Sequence, residues 1–222
     1  IGCVQRVISP QINESTIRVL TRHGVEVVTM PEIECCGSLN HHLGKEEIAK
    51  DIKEIILMGG NALSQGNASP AAEANIKNDP EAADIVFSAD CEISMVGLDV
   101  TNQVFMDKEH IDKIVNFDSP QARHLKKIFP FYVDFLSEFF NKEGMPTHDS
   151  SAIAYLIDKS LFKTIKYPIV VETLGISRGK TWMGTGMDKT DNNPWENRRE
   201  VNICIEVDRK KVIDLITRRV AS

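Results

Sequence analysis

One stretch of the chain, residues 54–76, constrains the fold more than any other. It opens with the apolar run EIILM and stops at Gly59-Gly60. This pattern predicts a buried strand that ends in a turn where the backbone needs the conformational freedom of glycine. A small, polar loop follows. In open α/β sheets, ligands bind at the carboxyl edge where such loops lie.

The polar loop presents Asn67, Glu73 and Asn75 close together in sequence. Two carboxamides and a carboxylate offer hydrogen-bond donors and acceptors in fixed directions, which suits a ligand rich in hydroxyl groups. The alternative is a surface loop in which these side chains cap the loop's own backbone.

Strand and helix patterns alternate from residue 54 onward. This alternation predicts an α/β fold with a mostly parallel sheet flanked by helices. Asp79 followed by Pro80 predicts a helix start. The predicted strands are 54–58, 93–97, 169–174 and 201–207. The predicted helices are 80–89, 107–116, 119–142, 149–157 and 208–220, with a loop at 143–148.

Composition excludes several classes of partner. The chain has 222 residues, 42% of them hydrophobic, so it can bury one sizeable core. A net charge of −6 gives no reason to expect nucleic acid or an anionic membrane as a partner. The chain has five cysteines, an odd number that includes the adjacent pair Cys35-Cys36. This pattern does not indicate a disulfide framework and predicts a cytoplasmic protein.

Three motifs resemble the inosine/uridine-type nucleoside hydrolases. They are GGNALSQGNASPAAEAN at 59–75, MVGLDVTNQ at 95–103 and PTHDSSAIAYLID at 146–158, in matching order and spacing. The resemblance implies a nucleoside-hydrolase-like fold. The family's Asp-x-Asp-Pro-Gly-x-Asp-Asp loop, which holds calcium, does not occur in this chain. The fold is therefore expected to be incomplete at its N-terminus.

The resemblance also implies roles for individual residues. Asn67, Glu73 and Asn75 match the positions that bind the ribose hydroxyls. Asp149 matches a calcium-ligating aspartate that also touches the ribose, with a helix N-cap as its structural alternative. His148 matches the histidine beside the leaving base, a general-acid candidate because an imidazole titrates near neutral pH.

The activity implied by the resemblance is hydrolysis of purine or pyrimidine ribonucleosides to ribose and free base. The expected partner is a small-molecule ribonucleoside, and homo-oligomerisation stays open. Without the aspartate loop, one carboxylate cannot supply the six to eight oxygen ligands of Ca²⁺. We therefore expect impaired activity from this chain.

The first 50 residues carry a different resemblance. GCVQ, TIRVLTRHGVEVV and ECCGSLNHHLGKE resemble half of a CCG-type cysteine-rich domain, as in the iron–sulfur subunit of glycolate oxidase. Cys3, Cys35 and Cys36 are then the candidate ligands of an iron–sulfur cluster or, with His41 or His42, of zinc. No Cys-x-x-Cys follows, so an iron–sulfur cluster is not expected.

These resemblances predict two regions, a CCG-type half-domain at 1–50 and a nucleoside hydrolase-like region at 51–222, joined as a fusion. The alternative function is a redox or metal-binding module built on the cysteines.

Three further expectations concern the second region. Asp99 and Thr101 support loop structure, Arg178-Gly179-Lys180 forms a solvated turn, and Trp182 packs in a loop rather than stacking on a nucleobase.

Overall fold

The computed structural model describes residues 52–140, 143–186 and 193–222. The chain divides into two units after Lys53, and the description below concerns the second, Glu54–Ser222. Its strands are β1 (Glu54–Met58), β2 (Glu92–Val96), β3 (Phe105–Asp107), β4 (Gly144–Pro146), β5 (Phe162–Val171), β6 (Thr181–Met183) and β7 (Glu200–Val207).

The helices lie between these strands, as expected for an α/β protein. They are α1 (Ala74–Asn78), α2 (Pro80–Phe87), α3 (Leu98–Thr101), α4 (Lys108–Val115), α5 (Pro120–Phe140), α6 (His148–Ile157) and α7 (Arg209–Ala221), with a 3₁₀ turn at Lys159–Leu161.

The main sheet has the strand order β1-β2-β7-β5-β6. Strands β1, β2 and β7 are parallel, whereas β5 is antiparallel to both β7 and β6. The α/β class is confirmed, but the sheet in the described residues is mixed rather than mostly parallel. For the pair β5–β6 the reason lies in the short connection 172–180, which permits a hairpin and is too short for a crossover helix.

Two apolar clusters cover the two faces of this sheet. Val96 and Cys204 belong to one cluster, together with residues of α4, α6 and α7. Their strand neighbours Met95 and Ile203 belong to the other, together with Phe87 of α2. Successive side chains of a strand point to opposite faces, so each strand contributes to both clusters.

Several boundaries follow from side-chain caps. Asp79 accepts a hydrogen bond from the Ala82 N–H and precedes Pro80, so the predicted start of α2 is confirmed. Asp208 caps α7 in the same way through the Lys211 N–H.

The predicted loop 143–148 is wrong, because Gly144–Pro146 forms β4 and pairs with β3. Strands of three residues carry too little periodicity to be recognised in sequence.

The first strand is at the expected position but is less buried than predicted. All five residues of β1 are only partly buried. In the described part of the chain β1 pairs on one side with β2. An edge strand keeps part of its surface accessible, whereas β2 is covered on both sides.

None of the helices in the described ranges is both long and apolar enough to cross a membrane.

The burial of Cys204 gives a testable expectation for this core. The Cys204 side chain is 0% exposed, and burial raises the pKa of its thiol to about 12. The thiolate is the reactive form, so Cys204 should resist N-ethylmaleimide at pH 7 in the folded protein and react fully in urea. Peptide mass spectrometry checks this. The partly buried Cys91 is the internal comparison and should react faster. Equal labelling of both thiols in the folded state would contradict the packing.

Candidate functional site

The candidate site begins at the turn after β1. Gly60 has a φ of 77°, and an added Cβ would lie 2.8 Å from the Met95 sulfur. Its carbonyl accepts a hydrogen bond from the Leu98 N–H at 2.9 Å. The turn after β1 is therefore joined directly to the turn after β2, at the carboxyl edge of the sheet. The predicted need for glycine in this turn is confirmed at Gly60.

The buried side chain of Glu73 stabilises this turn through hydrogen bonds. Its carboxylate is 1% exposed and accepts hydrogen bonds from three backbone N–H groups. Gly60 donates at 3.0 Å, Asn75 at 2.8 Å and Ile76 at 3.1 Å. The last two bonds cap α1, a short helix where the sequence predicted only loop. Glu73 is thus a buried structural carboxylate whose oxygens retain little further capacity to accept hydrogen bonds.

Asn67 and Asn75 flank Glu73 and are exposed. The Asn67 Oδ1 atom accepts a hydrogen bond from the Ala74 N–H at 2.9 Å, so the loop does cap its own backbone. The Asn75 Nδ2 atom donates to the Met58 carbonyl at 3.2 Å, at the end of β1. Within the described residues, the Asn67 Nδ2 and Asn75 Oδ1 atoms have no hydrogen-bond partner. Each asparagine therefore has one fixed end and one end available to a ligand.

His148 is the first residue of α6 and is partly buried. Its Nδ1 atom lies 2.8 Å from the Oγ1 atom of Thr101, which is fully buried at the end of α3. Burial lowers the pKa of His148, while the negative charges of Asp149 and Glu73 act in the opposite direction. The sequence interpretation of Thr101 as loop support missed that it holds this ring. The contact joins segments 47 residues apart, which no local pattern reveals.

Asp149 is the second residue of α6 and is exposed. The N-cap position belongs to Thr147, so the alternative interpretation of Asp149 as the N-cap is wrong. A carboxylate in the first turn of a helix is stabilised by the positive end of the helix dipole.

The structure brings these residues to one edge of the sheet. Asn75 is bonded to the end of β1, and α6 packs against both β1 and α3. His148 lies near enough to Glu73 for that charge to affect its pKa. The arrangement places amide groups, an imidazole and a carboxylate at the carboxyl ends of β1 and β2, where α/β proteins bind ligands.

The described residues do not fit a calcium ion. They contain no group of three or more His, Cys, Asp or Glu side chains that could hold a metal. Glu73 is engaged by backbone N–H groups, and so is Asp99, which accepts from Ala62, Leu63 and Ser64 at 2.7–2.8 Å. Asp149 alone supplies too few oxygens for Ca²⁺. The candidate metal ligands Cys3, Cys35 and Cys36, with His41 and His42, lie outside the described residues.

Two expectations for the 178–182 segment are wrong. Lys180 is 8% exposed rather than solvated. Its ammonium group donates to the Asn61 carbonyl at 2.6 Å, a contact across 119 residues. Trp182 lies on β6 rather than in a loop and is 44% exposed, and its ring centroid is 5.6 Å from the Lys180 Nζ atom. The interpretation of Asp99 as loop support agrees with its three backbone contacts.

Comparison with known proteins identifies the relatives of this chain. A sequence model of the inosine-uridine preferring nucleoside hydrolases matches residues 42–214, and one of a cysteine-rich domain matches residues 1–57. Both resemblances predicted from the sequence are therefore confirmed. A probable uridine nucleosidase 2 of Arabidopsis thaliana is 36% identical over 174 residues, covering 78% of this chain and 54% of the relative.

Further similar proteins also carry nucleoside hydrolase names. A pyrimidine-specific ribonucleoside hydrolase RihA of Photobacterium profundum is 36% identical over 177 residues, covering 79% of this chain and 55% of its own length. A solved plant nucleoside hydrolase superposes with a TM-score of 0.76 at 30% identity, covering 83% of this chain and 58% of that one.

The chain spans about half the length of the curated relatives it matches. The family match nevertheless extends over most of the chain, and the fold agrees with it. Proteins named as nucleosidases and ribonucleoside hydrolases are enzymes that cleave N-glycosyl bonds. The chain therefore belongs to the inosine-uridine preferring nucleoside hydrolase family.

Proposed function

We propose that the carboxyl edge around Gly60 is the ribonucleoside site of an N-ribohydrolase, which converts ribonucleosides to ribose and free base. Asn67 and Asn75 bind the ribose hydroxyls through their available amide ends. Glu73 holds Asn75 in place, because its carboxylate accepts the Asn75 N–H at the start of α1 and also the Gly60 N–H of the turn. Asn67 is held separately, by the Ala74 N–H. Asp149 contributes a further acceptor at the mouth of the site.

The observation that carries this proposal is the contact between His148 and Thr101. When the Thr101 hydroxyl donates to Nδ1, the neutral imidazole carries its proton on Nε2. That proton then lies on the side of the ring away from Thr101. Departure of a nucleobase leaves negative charge on its nitrogen, and a positioned N–H donor stabilises that charge. His148 is thus the proposed general acid toward the leaving base.

Calcium enters the proposal through the family, whose members generally depend on it. Because the described residues do not fit the ion, we assign no step to it in this chain. We further propose that residues 51–222 form the hydrolase-like region and residues 1–50 a CCG-type half-domain. A cytoplasmic location and a small-molecule substrate complete the proposal, with no nucleic acid or membrane partner.

Equilibrium binding of inosine and uridine tests the proposed site. Asn75→Ala removes one ribose contact, so it should weaken the affinity about fivefold, the effect of losing one hydrogen bond of about 1 kcal/mol. Asn116→Ala is the matched control, since Asn116 is exposed at the end of α4 and is not among the candidate site residues. Comparing the two nucleosides also reports base preference. Equal affinity in all three proteins, or no binding at all, would refute the proposal.

The competing redox module has a separate test. Its candidate ligands are Cys3, Cys35 and Cys36, and the comparisons favour the hydrolase over it. Iron and zinc analysis of protein purified without oxygen should give less than one metal ion per chain. Stoichiometric iron with cysteine-dependent visible absorbance would revive the redox alternative.

A further inference from the structure

The loop that leads from Gly60 into the candidate site is held from two sides. On one side, the Asp99 carboxylate accepts the backbone N–H groups of residues 62, 63 and 64. On the other side, the Lys180 ammonium donates to the carbonyls of Asn61 at 2.6 Å and Ser64 at 3.4 Å. The N–H groups and the carbonyls of one short segment are thus bound by opposite charges from different parts of the chain.

Lys180 is unusual because lysine side chains are seldom buried without an ion-pair partner. It is 8% exposed, and no carboxylate of the described residues lies within ion-pair distance of its Nζ atom. A buried ammonium is costly unless strong acceptors compensate it. Burial accordingly lowers the pKa of Lys180, with the charge of Asp99 acting in the opposite direction. The compensation comes from backbone carbonyls of the loop, so Lys180 and the loop depend on each other.

Asn61 transmits this contact to the site. It is fully buried, and its Nδ2 atom donates to the Ser64 and Ala71 carbonyls, both at 2.9 Å. The bond to Ala71 ties the beginning of the loop to the segment that leads into Glu73. The Asn61 N–H and carbonyl are also bonded to the Thr181 hydroxyl at 2.9 and 3.0 Å. Lys180 and Thr181 therefore hold the backbone of Asn61. The Asn61 side chain in turn holds the carbonyls of Ser64 and Ala71.

Two buried polar atoms in this loop lack a hydrogen-bond partner in the described part of the chain, which makes the loop depend on its other contacts. The Asn61 Oδ1 and Ser64 Oγ atoms are buried without a hydrogen-bond partner. Such atoms destabilise a loop unless its other contacts hold it in place. If the Lys180 contacts are lost, a movement of the loop that lets these two atoms bond to water lowers its free energy.

We propose that Lys180 is a positioning residue of the ribonucleoside site, acting by holding the carbonyls of Asn61 and Ser64. Through this loop it sets the position of the Gly60 N–H that bonds Glu73, and hence the orientation of Asn75 toward ribose. The inference rests on the proposed function for its consequence, whereas the loop contact itself is independent of any ligand.

Hydrogen exchange of the whole chain tests the loop contact. Lys180→Met keeps the length and apolar stem of the side chain and removes its donors. We expect the amides of residues 60–66 to exchange roughly tenfold faster, because charge-assisted hydrogen bonds are lost there. Lys166→Met, at an exposed position of β5, is the matched control and should leave these amides unchanged. Unchanged exchange in Lys180→Met would overturn the proposal.

A second readout separates positioning from general support. In the wild-type background, Lys180→Met should weaken inosine binding about fivefold. In an Asn75→Ala background it should have little further effect, since both changes remove the same ribose contact. Additive effects would overturn the positioning role. If the wild-type protein binds no inosine, the proposed function fails, and the exchange data alone decide the role of Lys180.

A third variant covers the case in which Lys180→Met does not fold. Lys180→Arg keeps a cation that donates to the same carbonyls. Its loop amides should exchange within about threefold of the wild-type rate. Exchange tenfold faster than wild type, in an arginine variant that is otherwise folded, would show that a cationic donor at this position does not suffice to hold the loop, which contradicts the proposal.

Discussion

Replacing Glu73 with alanine should lower the free energy of unfolding by about 2–4 kcal/mol. The side chain is buried, and its carboxylate accepts three backbone N–H groups from the β1 turn and the start of α1. Alanine leaves these donors without their partner, two of them at buried hydrogen bonds. It also removes the cap of a five-residue helix that has little stability of its own.

Glu73→Gln should have a smaller effect, of about 1–2 kcal/mol. Glutamine keeps one acceptor oxygen, but its amide nitrogen faces N–H donors where the carboxylate offered a second oxygen. Urea denaturation followed by circular dichroism measures both changes. Glu196→Ala is the control, because Glu196 is exposed in the turn before β7. A loss below 0.5 kcal/mol in Glu73→Ala, the level of an ordinary surface change, would contradict the role assigned to Glu73.

The local parts of the site could be predicted from the sequence. The apolar run before Gly59-Gly60 indicates a strand and turn, and Asp79-Pro80 indicates the start of α2. Both predictions need only residues adjacent in the chain. The positions of Asn67, Asn75 and His148 follow from the resemblance of the three motifs to the family, and their roles stay predictions.

The contacts that shape the site could not be predicted in this way. Thr101 reaches His148 across 47 residues, and Lys180 reaches Asn61 across 119. Neither pair has a sequence pattern, because each contact depends on how strands are ordered in the sheet. A lysine in a turn is usually solvated, so its burial beneath the loop was the less expected outcome. Strand direction at β5 and β6 escaped prediction for a similar reason, since period-two patterns carry no direction.

The second large expected effect concerns catalysis. Hydrolysis of an N-glycosidic bond needs a positioned water as well as a bound sugar and an assisted leaving group. In the proposed function, Asn67 and Asn75 serve the sugar and His148 serves the leaving base. Asp149 is the one carboxylate among the candidate site residues that is neither buried nor engaged by backbone N–H groups. A single carboxylate does not hold a hard cation, and the aspartate loop of the family is not in this sequence.

We therefore expect this polypeptide alone to bind ribonucleosides weakly and to hydrolyse them little or not at all. Without attack by water, protonation of the base by His148 does not complete the reaction. This outcome would not conflict with membership of the family, because the chain spans about half the length of its hydrolytic relatives.

The most direct test of this account is a reducing-sugar assay on inosine and uridine with millimolar Ca²⁺. The assay compares the wild-type chain with Asp149→Ala. The account predicts ribose release at the level of the buffer blank for both proteins, even where nucleoside binding is measurable. Robust Ca²⁺-dependent release by the wild-type chain that disappears in Asp149→Ala would contradict it. Such a result would mean that Asp149, with oxygens supplied from elsewhere in the polypeptide, completes a working metal site.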